Sequence, residues 1–364
     1  MEYVQERVAT LHDFGTGTPD APTDRASVVV PMTDCDYASL AAERVLSTLE
    51  RVDPGRVVVP LRASSATAGD VVAWVEGFDL DAEVLWCTAP RVEDRLGELG
   101  LDGEAGKGRD VWLALGLASA TEYVAVHDID ATSYDESVAA KLLFPLAAGY
   151  DFSKGYYARV EDGRLYGRLA RLFVAPLLDA LATAHEDPLL EYLGAFRYPL
   201  AGEFAATGEF VRRVRVQRGW GLEIGTLGEA YAVAGFEGSA QVDLGVHEHD
   251  HRSVSGPEGL GDMSRHVGDA LFHALADAGI EPDFETLPDR YRERASALVD
   301  QYAAEAAFNG LEYDPIDERE QVATYADAIG PAGPDRRLPA WRDAPLDPSE
   351  VRKLSREAIA AAER

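Results

Sequence analysis

Short β-branched runs alternate with amphipathic stretches along the first half of the chain. Ala26-Ser27-Val28-Val29-Val30-Pro31 predicts a strand, and a helix follows from about Tyr37 to Leu49. Arg56-Val57-Val58-Val59-Pro60-Leu61 predicts a second strand and Glu83-Val84-Leu85-Trp86-Cys87 a third. A helix over 110–119 precedes Tyr123-Val124-Ala125-Val126-His127, an apolar run that reads as a buried strand. Residues 165–185 carry apolar side chains at helical spacing, Leu169, Leu172, Phe173, Pro176, Leu177 and Leu181, with Pro176 placed to kink or divide the helix. From about 257 the texture changes. Segments 262–279, 285–309 and 348–363 are Ala-rich, charged and helical in period, and 328–346, rich in Pro, Gly, Arg and Asp, reads as an extended loop. Strands alternating with helices predict an α/β protein with a mostly parallel sheet flanked by helices. The expected organisation is an N-terminal segment over 1–25, loop-like over 15–25, a core over 26–256, and a helical C-terminal extension over 257–364.

Composition narrows the setting. With 364 residues, 46% of them hydrophobic, the chain can bury a sizeable core. The formal net charge of -30 repels nucleic acid and anionic membranes. The lysines are Lys107, Lys141, Lys154 and Lys353, so nearly all positive charge is arginine. An acidic, Lys-poor, Ala- and Gly-rich chain fits a halophilic cytoplasm, because at molar salt the Debye length is roughly 3 Å and self-repulsion is screened. Cys35 and Cys87 stand in separate segments with no C-x-x-C pair, which suits a reducing compartment. Met1-Glu2-Tyr3 opens without a basic start or apolar core, and no run is long enough to span a bilayer. A cytoplasmic protein with no membrane span is expected.

The candidate chemistry begins at Asp128-Ile129-Asp130. Two carboxylates at i and i+2, where a strand leaves the core, can hold a hard divalent cation that grips a diphosphate. Open α/β sheets bind ligands at that edge. The exit of the first strand, Pro31-Met32-Thr33-Asp34-Cys35-Asp36, can cradle a base and ribose, or serve only as a strand–helix loop with capping acids. Gly106-Lys107-Gly108 sets one of the few lysines between glycines ahead of a helix, a plausible pyrophosphate contact, although the Walker spacing is absent. Arg168, after Gly167, can bind an anion bidentately, or be one surface arginine among Arg159, Arg164 and Arg171. Gly202-Glu203 and Gly221-Leu222-Glu223 each place an acid among glycines, where it can accept sugar hydroxyls; Glu223 can equally be a first-turn helix acid. His247-Glu248-His249-Asp250-His251 follows Val242-Asp243-Leu244-Gly245-Val246. If that strand continues, the three histidines share a face and could form a zinc site, or one could join Asp128 and Asp130 in a Mg²⁺ or Mn²⁺ site.

The ordered set Val-Val-Pro at 29–31, Gly-Lys-Gly at 106–108, Asp-x-Asp at 128–130, Gly-Arg at 167–168, Pro-Leu-Ala-Gly-Glu at 199–203, Gly-x-Glu-Ile-Gly at 221–225 and Leu-Gly-Val-x-x-His at 244–249 resembles the glucosyl-3-phosphoglycerate synthases. These are retaining glycosyltransferases of the GT-A fold; the mannosyl-3-phosphoglycerate synthases are more distantly similar. The resemblance covers about 26 to 270. It implies a Rossmann-like GT-A core for nucleotide-sugar and acceptor, a nucleotide-diphosphate glucose donor, a small anionic acceptor such as 3-phosphoglycerate, and Mg²⁺ or Mn²⁺. It places the metal on Asp130 and His249, with Asp128 completing the motif. It implies that the nucleotide-sugar lies on Pro31, Met32, Thr33, Lys107, Asp128, Asp130 and Glu223, with Asp130, Glu223 and Lys107 as the catalytic set. Gly167, Arg168, Gly202, Glu203, His247 and His251 face the acceptor. A homodimer is one expected assembly.

The chain departs from the family pattern at Ala170, where the motif has Thr, and at His247 and His251, which replace Arg and Asn around the metal histidine. Histidine is charged only part of the time near neutral pH, so these changes bear on the acceptor. The second strand ends Leu61-Arg62-Ala63-Ser64-Ser65 without the acid many relatives carry, which bears on base recognition. Rival readings are the same fold with GDP-mannose as donor, or with glycerate, a sugar or a lipid carrier as acceptor. Others are a zinc hydrolase on His247, His249 and His251, and a non-catalytic sugar-nucleotide-binding protein.

Overall fold

A computed structural model describes residues 5–15, 17–248 and 257–362. Its strands are β1 (Ala9–Leu11), β2 (Ala26–Val29), β3 (Met32–Thr33), β4 (Arg56–Arg62), β5 (Ala82–Trp86), β6 (Tyr123–Val126), β7 (Phe152–Ala158), β8 (Val160–Glu161), β9 (Arg164–Leu165), β10 (Phe204–Thr207) and β11 (Ser239–Val246). The helices of the first part are α1 (Leu40–Val52), α2 (Ala68–Val75), α3 (Pro90–Glu98), α4 (Lys107–Ala118), α5 (Ser137–Ala147), α6 (Ala175–Ala182), α7 (Pro188–Gly194), α8 (Gly208–Arg213) and α9 (Leu222–Val233). The last are α10 (Pro257–Asp277), α11 (Leu287–Asn309), α12 (Pro315–Ala326) and α13 (Pro348–Ala362).

Among the described residues one nine-stranded sheet runs β1-β11-β7-β10-β6-β2-β4-β3, with β5 also on β4. β10 is antiparallel to both its neighbours, β6 and β7, and the other pairs are parallel. The mostly parallel sheet expected from the alternation is therefore present. Its central strands are apolar throughout because helices cover both faces; Val28, Val29, Val57, Val58, Val124 and Val126 are fully buried. α1 shows how local sequence sets an element. Ser39 caps it by accepting from the Ala42 amide, Val45, Leu46 and Leu49 form its buried stripe, and Asp53 ends it in a left-handed conformation.

The sequence-based outline did not include α2, α3, α5, β7, α7, β10 or α8, and it differs from the structure in three further places. The helix expected over 165–185 is divided: Leu169–Val174 is a π-helical stretch, and α6 follows with Pro176 in its first turn, where a missing N–H costs nothing. β1 lies within the expected N-terminal segment and pairs with β11 at the sheet edge. α12 lies in a stretch for which no element was expected. The C-terminal helices return to the core: Ser355 of α13 accepts from the Trp86 amide of β5, and Arg352 and Arg356 reach Glu83 at 3.0 and 3.1 Å. No described helix is long and apolar enough to cross a membrane.

Candidate active site

Part of the set singled out in the sequence, Lys107, Asp128, Asp130 and Glu223, meets where β2 and β6 leave the core. β6 ends at Val126 and the chain turns through Asp128 and Asp130. α4 starts at Lys107 rather than near 110, because Gly106 precedes it in extended conformation. Both flanking glycines press on neighbouring backbone. A Cβ on Gly106 would lie 2.7 Å from the Arg218 carbonyl oxygen, and one on Gly108 would lie 1.8 Å from that of Gln217. The helix can begin there only without side chains. That start sends Lys107 across the edge, with Nζ 2.6 Å from Asp128 and 3.1 Å from Glu223 in the first turn of α9. Burial alone would lower the Lys107 pKa, but the two carboxylates outweigh it and the net shift is upward.

Asp130 has no ion pair among the described residues. Burial, and then the neighbouring Asp128, raise its pKa to about 7, only partly offset by Lys107. Two neighbouring carboxylates, of which Asp128 is paired with Lys107 and Asp130 with no cation among the described residues, are a hard-oxygen donor set, which fits Mg²⁺ or Mn²⁺ better than zinc. Among the described residues no three His, Cys, Asp or Glu side chains are arranged to hold a metal. The proposed third ligand, His249, lies outside the described residues, as does His251. The backbone just before them is fixed: Thr132 donates to the Glu248 carbonyl at 2.8 Å, and the Glu248 amide donates to Ser133 Oγ at 3.1 Å. The chain that follows β11 is thus tied to the loop immediately beyond Asp130. β11 ends at Val246, so no strand carries His247.

The turn from Pro199 to Glu203 backs onto the acidic motif. Gly202 is in contact with the Asp128 carboxylate; a Cβ there would lie 2.2 Å from Oδ2. Glu203 is fully buried, 3.3 Å from His247 Nε2, and Tyr157 stacks on the imidazole with centroids 4.3 Å apart. Burial works against a charged His247, but Glu203 outweighs it and the pKa is raised. At the exit of the first strand, Met32 is buried and Thr33 donates its amide and hydroxyl to Asp36 at 2.8 and 2.7 Å. Pro31 is half-buried beside them. Arg62, opposite Thr33 on β4, is held by Asp110 at 2.8 Å.

On the far side, Gly167 takes φ +73°, with Tyr198 against it, and so turns the chain into the π-helical stretch. Arg168 is paired with Asp317 and, at 2.9 Å, with Glu318 of α12; Glu318 also holds Arg171 at 3.3 Å. Ala170, Tyr157, Tyr198 and Arg159 line a cavity of about 1350 Å³ beside this turn. The structure therefore groups Lys107, Asp128, Asp130, Gly202 and Glu223 at the edge. It pairs Glu203 with His247 behind them and ties Arg168 to the C-terminal helices. Asp34, in the strand exit singled out above, accepts from the Ser64 amide and Thr67 Oγ1; sequence reasoning missed Lys154, fully buried with Nζ 2.6 Å from the Ala201 carbonyl. Lys154 carried a signal, since it is one of four lysines and stands in a strand.

Comparison with known proteins accords with this geometry. No family model matches the chain. It is 31% identical to the glucosyl-3-phosphoglycerate synthase of Methanococcoides burtonii, over 99% of this chain and 98% of that one. With the enzyme of the same name from Persephonella marina it shares 36% identity, over 75% of this chain and 72% of the relative. The structure superimposes on Mycobacterium tuberculosis glucosyl-3-phosphoglycerate synthase, solved with Mn²⁺, UDP-glucose and phosphoglyceric acid. The TM-score is 0.56 and the identity 26%, over 76% of this chain and 89% of that one. Its fold is thus the GT-A fold expected from the ordered motifs. Identity above 30% along nearly the whole of both sequences shows that the chain belongs to the glucosyl-3-phosphoglycerate synthase family.

Proposed function

We propose that the protein is a metal-dependent retaining glycosyltransferase that moves glucose from a nucleotide-diphosphate glucose to 3-phosphoglycerate. The observation that carries this reading is the convergence of Lys107, Asp128 and Glu223, from three separate elements, within 2.6 and 3.1 Å of one ammonium. The M. tuberculosis relative binds Mn²⁺, UDP-glucose and phosphoglyceric acid, ligand classes that such a donor set suits.

Asp130, Asp128 and His249 would hold the cation. When bound, a divalent ion neutralises the charge that develops on the leaving diphosphate. Lys107 adds a fixed positive charge at the same edge, and Glu223 accepts hydrogen bonds from the hydroxyls of the transferred sugar. Pro31, Met32 and Thr33 line the nucleotide. Glu223 is engaged by Lys107 and Glu203 by His247, and neither is assigned as a carboxylate nucleophile. The retention that the family resemblance implies corresponds to transfer on one face. The acceptor oxygen bonds to the anomeric carbon as the bond to the diphosphate breaks, and the acceptor proton passes to the departing phosphate oxygen. Positioning of the two partners supplies much of the rate.

Gly167, Arg168, Gly202, Glu203, His247 and His251 are assigned to the acceptor side. His247 stands where the family motif has arginine, and it is buried against Glu203 at 3.3 Å. The same pairing disfavours a three-histidine zinc hydrolase, because His247 is committed to Glu203. The acidic, Lys-poor composition supports a cytoplasm of high salt as the setting. The test is nucleoside-diphosphate release in molar KCl with Mn²⁺ or Mg²⁺, from UDP-glucose or GDP-mannose, with and without 3-phosphoglycerate. Release from a glucose donor that requires 3-phosphoglycerate is expected; acceptor-independent release, or none, would refute the assignment.

A further inference from the structure

Lys154 occupies the interior of β7, between Phe204 of β10 and Gln241 of β11, with no exposed surface. An ammonium buried this deeply is costly unless its charge and hydrogen bonds are used. Among the described residues its one hydrogen bond goes to the backbone, Nζ to the Ala201 carbonyl at 2.6 Å. A methionine or leucine would fill the same space without a buried charge. In a chain with four lysines, this one was kept where burial penalises it most.

The contact has a direction. Ala201 is followed by Gly202, whose Cα rests against the Asp128 carboxylate, and Asp128 is held from its other side by Lys107 at 2.6 Å. Glu203, next in the turn, holds His247. Its carbonyl accepts from Gly155, the neighbour of Lys154, at 2.9 Å. One turn thus touches the acidic motif with Gly202 and the acceptor side with Glu203, and Lys154 fixes that turn from behind. Burial lowers the Lys154 pKa to about 8, with Glu223, Glu203 and Asp128 opposing the fall, so the charged form is felt by the carboxylates on both sides.

We propose that Lys154 is a positioning residue for glycosyl transfer, its ammonium locking the Pro199–Glu203 turn so that the donor-side carboxylate Asp128 and the acceptor-side pair Glu203–His247 stay in register. This deepens the functional reading above and rests on it. A register error of about 1 Å between reacting partners lowers turnover by about a hundredfold while leaving each binding subsite largely intact.

The test uses the full chain with Lys154→Met and Lys154→Gln. Thermal melting, Mn²⁺ binding by electron paramagnetic resonance, and the kcat and KM for donor and 3-phosphoglycerate are measured for each. The expected result is a folded variant whose Mn²⁺ affinity and both KM values stay within about threefold of wild type while kcat falls by about a hundredfold. A kcat within threefold of wild type overturns the proposal. So does a loss in which Mn²⁺ affinity and both KM values worsen in step with melting temperature, or failure of both variants to fold, since each assigns Lys154 to the scaffold alone. The wild-type protein in the same assay separates the two claims: absence of 3-phosphoglycerate-dependent release there refutes the functional reading, whatever the variants do.

Discussion

Replacing Gly202 by alanine tests the geometry of the acidic motif with one methyl group. The added Cβ would lie 2.2 Å from Oδ2, 2.7 Å from Cγ and 2.9 Å from Oδ1 of Asp128, whereas ordinary contact begins near 3.4 Å. The carboxylate must therefore withdraw by about 1 Å. The three nearest atoms all belong to this carboxylate, the far end of a side chain, so folding is little affected; the cost is about 1 kcal/mol, at the low end for overpacking. Withdrawal also displaces the 2.6 Å pair with Lys107, which holds the carboxylate from its other side. A displacement of 1 Å in a positioned catalytic group lowers the rate by about a hundredfold. Gly202→Ala should therefore melt within a few degrees of wild type, bind Mn²⁺ more weakly, and lose about two orders of magnitude in kcat/KM for glucosyl transfer. Mn²⁺ titration by electron paramagnetic resonance and a coupled assay for nucleoside-diphosphate release read the two effects separately. Wild-type metal affinity together with wild-type kcat/KM would show that Asp128 is not where the reaction needs it.

Asp130→Ala removes the metal carboxylate without a new contact and should lower transfer by about a thousandfold, the rate equivalent of several kcal/mol of cation stabilisation, with Mn²⁺ binding lost in parallel; retained activity would leave the acidic motif without its assigned role. His127 is fully buried, neither ring nitrogen has a hydrogen-bond partner among the described residues, and burial lowers its pKa to about 4. Its folded pKa lies below the unfolded value near 6.5, so the unfolded chain binds the extra proton and stability falls as pH drops from about 6.5 to 4, by about 3 kcal/mol in total. His127→Phe, which can keep the edge contact with Tyr134, should remove that part of the acid sensitivity in urea denaturation between pH 7 and 4; an unchanged slope would place it elsewhere. Gly116→Ala would set a Cβ 2.5 Å from the Trp341 ring and should destabilise the fold by about 1–3 kcal/mol, measured by equilibrium unfolding; a neutral result would contradict the packing of these two elements.

The central strands were legible because their signal is local. The apolar runs at 26–31, 56–61 and 123–127 correspond to β2, β4 and β6, buried on both faces as their composition requires. α12 was missed although its start is written in Asp314-Pro315, a capping aspartate followed by a proline at the first helical position. β1 offered less: three residues at a sheet edge are set by backbone pairing with β11, more than 200 residues away. The same limit applies to the site. Lys107, Asp128 and Glu223 could each be picked out from neighbouring glycines or a strand end, but their mutual contact spans 116 positions from Lys107 to Glu223. The pairing of Arg168 with Glu318 spans 150 and has no local signature. Local patterns nominate residues, and only the topology decides which of them meet.

The C-terminal helices bear on the site more directly than an appendage would. Trp341 stacks on Trp112 with centroids 4.3 Å apart, and each indole donates to the backbone of the other segment, Trp341 to Trp112 and Trp112 to Pro339. Trp112 belongs to α4, whose first residue is Lys107, so the helix that aims the ammonium is clamped at its middle by chain from beyond residue 330. On the opposite flank, Glu318 of α12 takes Arg168 and Arg171 together while almost wholly buried. Leaving Glu318 unpartnered at that depth would be unfavourable, so Arg168 is oriented by the extension. Behind β5, α13 supplies Arg352 and Arg356 to the carboxylate of Glu83, which also pairs with Arg56 of β4. The same C-terminal third thus fixes the position of α4, the direction of Arg168 and the outer edge of the nucleotide-side strands. A truncation ahead of residue 310 would remove all three restraints at once, and its effect on transfer would come through placement of Lys107 and Arg168 rather than through loss of any residue assigned to the chemistry.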